Sequence, residues 1–412
     1  MKKIISVFLA VLMLVCALSL TALAGEEEYA YDMEYYSKLK DNTVTIYVYN
    51  WGEYISDGGD GAMDVIKEFE ALTGINVEYT TFDSNESLFA KLKSGAASYD
   101  VIIPSDYMVS RLADNGMLAK LNYANIPNFD KYVDEDFKNP EYDAQNEYSV
   151  PYMWGTVGII YNTKYVAEED VADKSWDLLW NEKYAGKILM FDNSRDAFAI
   201  ACKKLGYSMN TTDEAELKAA AAELAKQGSV VQAYVMDQIF DKMVEENAYI
   251  APYYAGDYLT MAEDNEDLAF YIPKEGTNLF TDAMCIPATS KNQEAAEMFI
   301  NFMCEPAVSA ANTDYICYST PISAAKELID PEMAENEIAY PGAEVLANTE
   351  VFKNLSDEAN QLMDDLWISA VRTNELTPGF WISLGVICVA ALVWIFRNMY
   401  VKKKRMEARM KY

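Results

Sequence analysis

The stretch VTIYVYNWGEY, residues 44–54, is the part of the sequence that decides the fold. Val44, Ile46 and Val48 alternate with other residues, which is the spacing of a β-strand with one buried face. The run is rich in β-branched and aromatic side chains, as strands are. It therefore predicts a buried strand that supports the loop behind it.

The loop after this strand brings together side chains that suit a ligand. Trp51, Glu53 and Tyr54 follow directly after Asn50, where the apolar run stops. In an open α/β sheet, small ligands bind in the crevice at the ends of the strands. Two aromatic faces and a carboxylate in such a loop predict that it contacts a cation.

Strand and helix patterns alternate after the loop. Residues 62–72 have apolar residues near 3.6 spacing and are followed by Gly74, so they predict an amphipathic helix. Strands are predicted over 75–82 and 101–103, with a helix over 86–92 between them. This alternation predicts parallel strands and an α/β fold. The roughly 330 residues of this region exceed one usual sheet, so two lobes are expected.

The rest of the chain continues with both kinds of element. Helices are predicted over 215–225, 238–244, 294–303, 331–335 and 349–372. Strands are predicted near 158–161, 188–191, 249–254, 268–272 and 284–286. Residues 25–42 are acidic, rich in Tyr and without a steady period, so they are predicted to be a flexible lead-in.

Both ends of the chain carry apolar segments. Residues 1–24 have two Lys residues, an apolar run and small residues before Gly25, which is the pattern of a secretory signal peptide. Residues 376–396 contain no charge and would span about 30 Å as a helix, so they predict one transmembrane helix. The tail 397–412 carries seven Lys or Arg against one acid, which predicts a cytoplasmic tail and an extracellular main body.

The chain is strongly acidic, with a net charge of −32. Residues 25–396 carry −40, because Lys2 and Lys3 add +2 and the tail 397–412 adds +6 to the total. Such a charge repels nucleic acid and attracts cations. An acidic surface that only keeps an exported protein soluble is the alternative, and charge by itself does not choose between them.

The sequence contains no histidine, which excludes Ser-His-Asp and Cys-His catalysis and removes the most common zinc ligand. Hydrolysis by two carboxylates remains an alternative. The loop DGGDG, residues 57–61, lacks the other oxygen ligands of a calcium site and is predicted to be a turn. No phosphate-binding or dinucleotide-binding glycine motif occurs, so neither a metal nor a cofactor is predicted.

The cysteines between the apolar end segments show no disulfide pattern. They are Cys202, Cys285, Cys304 and Cys317, with no CxxC pair among them. A chain of this length buries a large core without disulfides, so free buried thiols are favoured. A disulfide between Cys304 and Cys317 is the alternative.

Polar and aromatic side chains recur where the predicted strands end. With the loop residues Trp51, Glu53 and Tyr54, the candidates are Ser105, Tyr107, Asn193, Asp196, Tyr254, Asp257, Phe280, Asp282 and Tyr318. Carboxylates offset the desolvation of an ammonium, and each aromatic face adds about 0.5 to 2 kcal/mol while it excludes water from the methylenes. Rings with an acid at each end would select a diamine. Packing at the edge of the core is the alternative for any single residue.

Several motifs occur in an unbroken order within residues 44–372. They are NWGEY at 50–54, SNESLFAKLKSG at 84–95, YDVIIPSDYMV at 99–109, YSVPYMWGTVGIIYN at 148–162, SWDLLWNEKYAGKI at 175–188, YIPKEG at 271–276 and TDAMCIPA at 281–288. These motifs resemble the periplasmic polyamine-binding proteins that serve spermidine and putrescine ABC importers. The chain differs from that family in carrying its own predicted membrane helix.

The resemblance implies the two-lobed type II fold of periplasmic binding proteins, with the ligand in the cleft between the lobes. Lobe 1 would comprise 43–153 and 281–325, and lobe 2 would comprise 154–280 and 326–372. It implies a monomeric, non-enzymatic receptor whose partners are a polyamine and the subunits of an ABC permease, and not nucleic acid. A membrane-tethered polyamine sensor and a carboxylate-dependent hydrolase are the alternatives.

The resemblance also implies roles for site residues. Trp51 and Tyr54 would form one wall, Ser105 and Tyr107 the next, and Asp282 would pair with an ammonium. Asn193 stands where the spermidine branch has an aspartate, whereas residues 254–257 read YAGD, similar to the tryptophan-alanine-glycine-aspartate of the putrescine branch. Putrescine is therefore favoured over spermidine. Where the spermidine branch has a glutamine that reaches the ligand, this chain has Val351 and Phe352, and no site residue is predicted there.

Overall fold

The computed structural model describes residues 30–40, 43–95 and 97–372. The predicted signal peptide 1–24, the predicted transmembrane helix 376–396 and the tail 397–412 lie outside these residues. Within the described part of the chain, no helix combines the length and the apolar character that a bilayer span requires.

In the described residues, ten strands pair into one sheet. They are β1 (Thr45–Trp51), β2 (Asn76–Phe82), β3 (Val101–Ile102), β4 (Ser149–Asn162), β5 (Ile188–Phe191), β6 (Val231–Val235), β7 (Ile250–Tyr254), β8 (Leu268–Tyr271), β9 (Thr277–Cys285) and β10 (Thr349–Glu350). Their order is β2-β1-β3-β9-β4-β7-β5-β6, with β8 paired to β4 and β10 paired to β9.

Helices connect the strands of both lobes. In the described residues the α-helices are Met33–Tyr36, Val65–Thr73, Asn85–Ser94, Asp106–Asp114, Pro127–Tyr132, Glu168–Val171, Ser194–Lys204, Glu214–Gln227, Ile239–Val244, Ala255–Asp264, Gln293–Met303, Pro306–Ile316, Pro331–Ala334, Ala343–Leu346 and Asp357–Trp367. Short 3₁₀ turns, such as Trp176–Trp180 and Ser323–Glu327, lie between several of them.

The first lobe is built around β1, and the predicted buried strand is confirmed. β1 pairs in parallel with β2 on one side and with β3 on the other. Ile46 and Val48 are fully buried, whereas Tyr47 between them is exposed. Asp64 caps the helix that precedes β2, and Gly74 ends this helix in the left-handed conformation with φ 73°. Parallel strands joined by helices form the α/β fold that the alternation predicts.

The second lobe is built around β5, β6, β7 and β8. β5 runs parallel to β6 and β7, and β4 runs antiparallel to β7 and β8. Helices Ser194–Lys204 and Glu214–Gln227 pack together beside this sheet, and helix Asp357–Trp367 packs against both. The C-terminal part of the described chain is therefore attached to the second lobe.

Two long strands join the lobes. β4 is 14 residues long, and residues 279–285 of β9 run antiparallel beside it. One end of this ribbon lies in the sheet of the first lobe, where β9 pairs with β3, and the other end continues to β7. The sequence predicts only 158–161 and 284–286 as strands here. Both strands are almost wholly buried, so their residues lack the alternation that marks a half-exposed strand.

Part of the predicted flexible lead-in is folded against the first lobe, so that prediction is wrong for residues 30–40. Met33–Tyr36 forms one helical turn, and Tyr35 and Tyr36 are buried. The Tyr36 hydroxyl donates a hydrogen bond to the carboxylate of Glu305 at 2.6 Å. A helix of 4 residues is too short to produce a periodic pattern, so the sequence carries no signal for it.

The predicted last helix, 349–372, is only partly correct. Thr349–Glu350 forms β10 beside β9, and the α-helix covers Asp357–Trp367. Ser356 caps this helix by accepting a hydrogen bond from the Ala359 backbone N–H, which fixes where it starts. Residues 351–356, without regular structure, form a connecting segment between the two elements.

The cysteines at 202, 285, 304 and 317 are buried free thiols in the described structure. The favoured thiol state is therefore confirmed, and the Cys304–Cys317 pair is not a disulfide. Burial raises the pKa of the Cys317 thiol to about 11, so it is protonated and weakly nucleophilic at neutral pH.

Candidate functional site

A cavity of about 50 Å³ lies between the two lobes. Eleven of the predicted candidates line it, namely Trp51, Tyr54, Ser105, Tyr107, Asn193, Asp196, Tyr254, Asp257, Phe280, Asp282 and Tyr318. They lie at or just after the ends of β1, β3, β5 and β7, on β9, or just after helix Pro306–Ile316. The strand ends of both lobes therefore converge on one site.

Glu53 is the exception among the candidates, because it does not line the cavity. Its side chain is exposed, and its backbone adopts the left-handed conformation with φ 47°. The turn carries the carboxylate away while its neighbours Trp51 and Tyr54 face the cavity. The structure therefore does not bring Glu53 into the lining with the other residues of this loop.

Asp282 lies on β9 and accepts two short hydrogen bonds from the first lobe. Tyr54 Oη donates to Oδ2 at 2.7 Å, and Ser105 Oγ donates to Oδ1 at 2.6 Å. Burial raises the pKa of Asp282 to about 6, and the two hydrogen bonds oppose this rise. The carboxylate is held in one orientation and is only 5% exposed.

Asp257 lies in the first turn of helix Ala255–Asp264, in the second lobe. The Tyr318 hydroxyl donates to its Oδ2 at 2.9 Å, and the Tyr318 ring packs 4.6 Å from the ring of Tyr54. Burial raises the pKa of Asp257 to about 8, with smaller contributions from nearby acids that include Asp282. Tyr318 follows a helix that packs on the first lobe, so this hydrogen bond joins the lobes.

Asp196 is a third carboxylate in the wall of the cavity, and it lies on a helix of the second lobe. Asn193 caps helix Ser194–Lys204, and its Nδ2 donates to Asp196 Oδ2 at 2.8 Å. The Tyr254 hydroxyl donates to the same oxygen at 3.2 Å. Burial raises the pKa of Asp196 to about 7. Like Asp282, this carboxylate is held in place by two hydrogen bonds, but it belongs to the second lobe.

Aromatic rings line the space between the acids. The Phe280 ring lies 5.4 Å from the ring of Tyr254 and 6.2 Å from that of Tyr318. Trp51 packs 4.5 Å from Phe82, which supports it from behind. Such rings attract cations and exclude water from a carbon chain.

Arg195 lies behind the wall of the site and does not line the cavity. Its Cζ is 4.4 Å from the Phe352 ring and 5.5 Å from the Tyr107 ring. Its Nη2 donates to Asn210 Oδ1 at 2.8 Å and to the Lys353 carbonyl at 3.2 Å. Among the described residues, no Lys or Arg lines the cavity itself, so the site has excess negative charge whenever its acids are ionised.

The cavity also has lining residues that the sequence did not predict. Among them are Asn85, Met236, Asp237, Phe240, Asn278 and Phe352. Phe352 lines the cavity although the sequence predicted no site residue at 351–352. Asn278 shares the alternation of Phe280 and Asp282 on β9, so extending the predicted strand back to residue 277 would have found it.

The chain matches known families and structures over most of its length. A family model described as bacterial extracellular solute-binding protein matches residues 97–349, and one described as a hypothetical lipoprotein matches residues 43–132. The chain is 36% identical over 311 residues to the spermidine/putrescine-binding periplasmic protein of Escherichia coli K12, which covers 75% of this chain and 87% of that protein.

Two further comparisons agree. A putrescine-binding periplasmic protein of Pseudomonas aeruginosa is 31% identical over 343 residues, covering 79% of this chain and 91% of that protein. A solved structure from Listeria monocytogenes, assigned to spermidine/putrescine ABC transport, has 38% identity and a TM-score of 0.74. It covers 79% of this chain and 98% of that one.

A two-lobed α/β protein with a site between its lobes has the architecture of a periplasmic binding protein. The chain belongs to the family of bacterial extracellular solute-binding proteins that includes the spermidine/putrescine-binding periplasmic proteins. The resemblance seen in the sequence is confirmed. The chain is a solute-binding protein and not an enzyme, so the hydrolase alternative is set aside. Its binding lobes belong to a family of extracellular or periplasmic domains.

Proposed function

We propose that this protein captures a polyamine outside the cytoplasm and, as a monomer, delivers it to the permease of an ABC importer. The observation that carries the proposal is the charge of the cavity. The buried carboxylates of Asp196, Asp257 and Asp282 and the more exposed one of Asp237 line it, without a lining Lys or Arg from the described residues. Buried carboxylates ionise readily only when cations pair with them, and ammonium groups provide that pairing.

The walls favour an ammonium on a carbon chain. Asp282 and Asp196 are held by different lobes, and the ring of Phe280 lines the same cavity and packs against Tyr254, the hydrogen-bond donor to Asp196. A metal ion would need several oxygen ligands around one point, whereas these acids are separated by aromatic surface. Relatives that are named as spermidine- or putrescine-binding proteins support the same chemical class of ligand.

Thermal unfolding of the purified full-length chain tests the proposal. Putrescine and spermidine are expected to raise the melting temperature, because a ligand at about 100 times its Kd stabilises the folded state by about 2.7 kcal/mol. The matched control is 1,4-butanediol, which has the carbon chain of putrescine without its charges and is expected to cause no shift. Absence of a shift with every polyamine at millimolar concentration would overturn the proposal.

Within this function, putrescine is the ligand that we favour over spermidine. Asn193 contributes no charge at the end of the cavity where a further ammonium would need one. Phe352 is 4% exposed and separates this cavity from a neighbouring one of about 250 Å³, since both include Phe352 and Tyr107 in their walls.

Phe352→Ala is expected to shift the preference toward spermidine. Removing the ring would join the two cavities and make room for the aminopropyl arm of spermidine. The ratio of spermidine to putrescine affinity should rise by roughly tenfold, the scale of an added segment in an apolar pocket. Calorimetric titration with both ligands measures the ratio. Val351→Ala, which changes the exposed neighbour, is the control, and an equal ratio in the two variants would contradict the assignment.

Polyamine affinity is expected to increase with pH between about pH 5 and 8. Asp282, Asp196 and Asp257 have pKa values raised by burial to about 6, 7 and 8, so they are partly protonated in the ligand-free protein. The ammonium groups stay charged, as a Lys side chain does up to a pKa of about 10.4, and they favour the ionised acids. Binding should therefore release protons, which titrations in buffers of different ionisation enthalpy detect.

The stability of the ligand-free protein is expected to change in the opposite direction. Acids with a raised pKa bind more protons in the folded state than in the unfolded state, so stability decreases as pH rises from about 4 to 8. Each unit of raised pKa corresponds to about 1.4 kcal/mol. Melting temperatures measured across this range should fall without ligand, while the shift caused by putrescine grows. A ligand shift independent of pH would contradict the assignment of these acids.

The proposal extends to the position of the protein in the membrane. The charge-free segment 376–396 and the basic tail 397–412 would anchor the receptor with its lobes outside, which raises its effective concentration near the permease. We propose that the first lobe comprises residues 43–153 and 281–325, and that the second comprises residues 154–280 and 326–372. Membrane fractionation tests the anchor: the full chain should sediment with membranes, a chain ending at residue 372 should not, and equal release of both would contradict it.

A further inference from the structure

We propose that Asn278 is a further ligand-binding residue, whose side-chain oxygen accepts a hydrogen bond from the ligand ammonium at the end of the cavity away from Asp282. This inference rests on the proposed polyamine function. Asn278 lines the cavity and is only 4% exposed. Its Oδ1 is buried and has no hydrogen-bond partner.

The geometry of β9 places Asn278 in line with two predicted site residues. Asn278, Phe280 and Asp282 share one face of the strand, and all three line the cavity. At about 3.3 Å per residue, the first and last of their Cα atoms lie about 13 Å apart. The Phe280 ring between them contacts Tyr254, whose hydroxyl bonds to Asp196. A ligand with one ammonium at Asp282 and its carbon chain along Phe280 therefore extends toward Asn278.

The unpaired side-chain oxygen of Asn278 supports a role in ligand binding. A buried carbonyl oxygen without a partner destabilises a fold, and native structures leave few of them. An alkylammonium has three N–H donors, so a single carboxylate oxygen does not satisfy it. The Asp196 Oδ2 atom already accepts from Asn193 and Tyr254. A neutral acceptor such as Asn278 Oδ1 adds a partner for the ammonium without another buried charge.

Asn278→Leu is the main test, because leucine has a similar size and lacks the acceptor. We expect it to weaken putrescine binding by roughly 10- to 100-fold, the scale of a lost hydrogen bond to a charged group. The ligand-free melting temperature should stay the same or rise, because an unsatisfied polar group is removed. Calorimetric titration and thermal unfolding of the full-length chain measure both effects.

Thr156→Val is the matched control. Thr156 lies on the neighbouring strand β4, where it pairs with Leu279 of β9. Like Asn278, it is buried and has a side-chain oxygen without a hydrogen-bond partner, but it does not line the cavity. It should keep wild-type affinity. Equal losses of affinity in Asn278→Leu and Thr156→Val would show a structural effect and overturn the inference.

Asn278→Asp keeps the shape and an acceptor oxygen, and it is expected to bind putrescine at least as tightly as the wild type above about pH 8. Weaker binding by this variant would overturn the inference even if Asn278→Leu fails to fold. Wild-type binding by Asn278→Leu would overturn the role of Asn278 and leave the polyamine function standing. Absence of polyamine binding by the wild type would overturn both.

Discussion

Asp282→Asn is expected to weaken putrescine binding by about 3–5 kcal/mol, the scale of breaking a buried charge pair. Asp282 is 5% exposed and is oriented by hydrogen bonds from Tyr54 and Ser105. Asparagine keeps the shape of the side chain and removes the negative charge that offsets the desolvation of an ammonium. Calorimetric titration should record an increase in Kd of at least about 100-fold.

Glu53→Gln is the control for this variant. It removes a negative charge close to the same loop, but Glu53 is exposed and lies outside the cavity lining. Its effect on binding is expected to stay below about 0.5 kcal/mol, as for most surface substitutions. Equal losses in the two variants would point to the general field of the acidic lobe, and normal binding by Asp282→Asn would show that the ligand lies elsewhere.

Gly256→Ala is expected to weaken putrescine binding by about 1–3 kcal/mol, because it overpacks the contact between the lobes. A Cβ at Gly256 would lie 2.2 Å from Cδ2 and 2.5 Å from Cε2 of the Tyr318 ring. The ring would have to move, and with it the hydroxyl that bonds to Asp257. The helix itself should not suffer, since alanine is the better helix former by about 1 kcal/mol.

Gly342→Ala is the matched control, because a Cβ there meets nothing within 4 Å and the backbone has an ordinary φ of −68°. It should bind putrescine like the wild type. Small-angle X-ray scattering should show less compaction on ligand addition for Gly256→Ala than for this control. Wild-type affinity and compaction in Gly256→Ala would mean that closure does not need the contact with Tyr318.

Coupling of binding to closure follows from how the acids are divided between the lobes. Asp282 is held by Tyr54 and Ser105 of the first lobe, whereas Asp196 belongs to a second-lobe helix. A ligand that pairs with both favours the closed arrangement over an open one, as in hinge closure around a ligand. β4 and β9 join the lobes and are the elements about which such a motion would turn.

Much of the site was predictable because strand ends converge in an α/β sheet. Trp51, Ser105, Asn193 and Tyr254 each follow or end a different strand, and all of them line the cavity. Local patterns indicate where these strands stop, and the family motifs then indicate which of the residues there belong to the site. The sequence could therefore indicate which side chains meet, although those side chains are far apart along the chain.

Other positions depend on tertiary packing that leaves no local pattern. Phe352 lies in a segment without regular structure, and its place in the wall depends on the anchoring of β10 and of helix Asp357–Trp367 on either side. Asn278 lies near the start of β9, whereas the sequence predicted this strand only over 284–286. Glu53 adopts a left-handed backbone conformation and lies outside the cavity lining, which the local pattern does not indicate. Burial of Tyr36 requires Glu305, which is remote in sequence.

The most direct test is a calorimetric titration of putrescine into the full-length chain at about pH 6.5, where the acids of the cavity are partly protonated without ligand, in two buffers of different ionisation enthalpy. Pairing of the ligand ammoniums with Asp196, Asp257 and Asp282 predicts saturable binding in which protons are released to the buffer. Absence of binding by putrescine and by spermidine at millimolar concentration would contradict the polyamine function. Saturable binding that takes up protons, or releases none, would contradict the role of these acids.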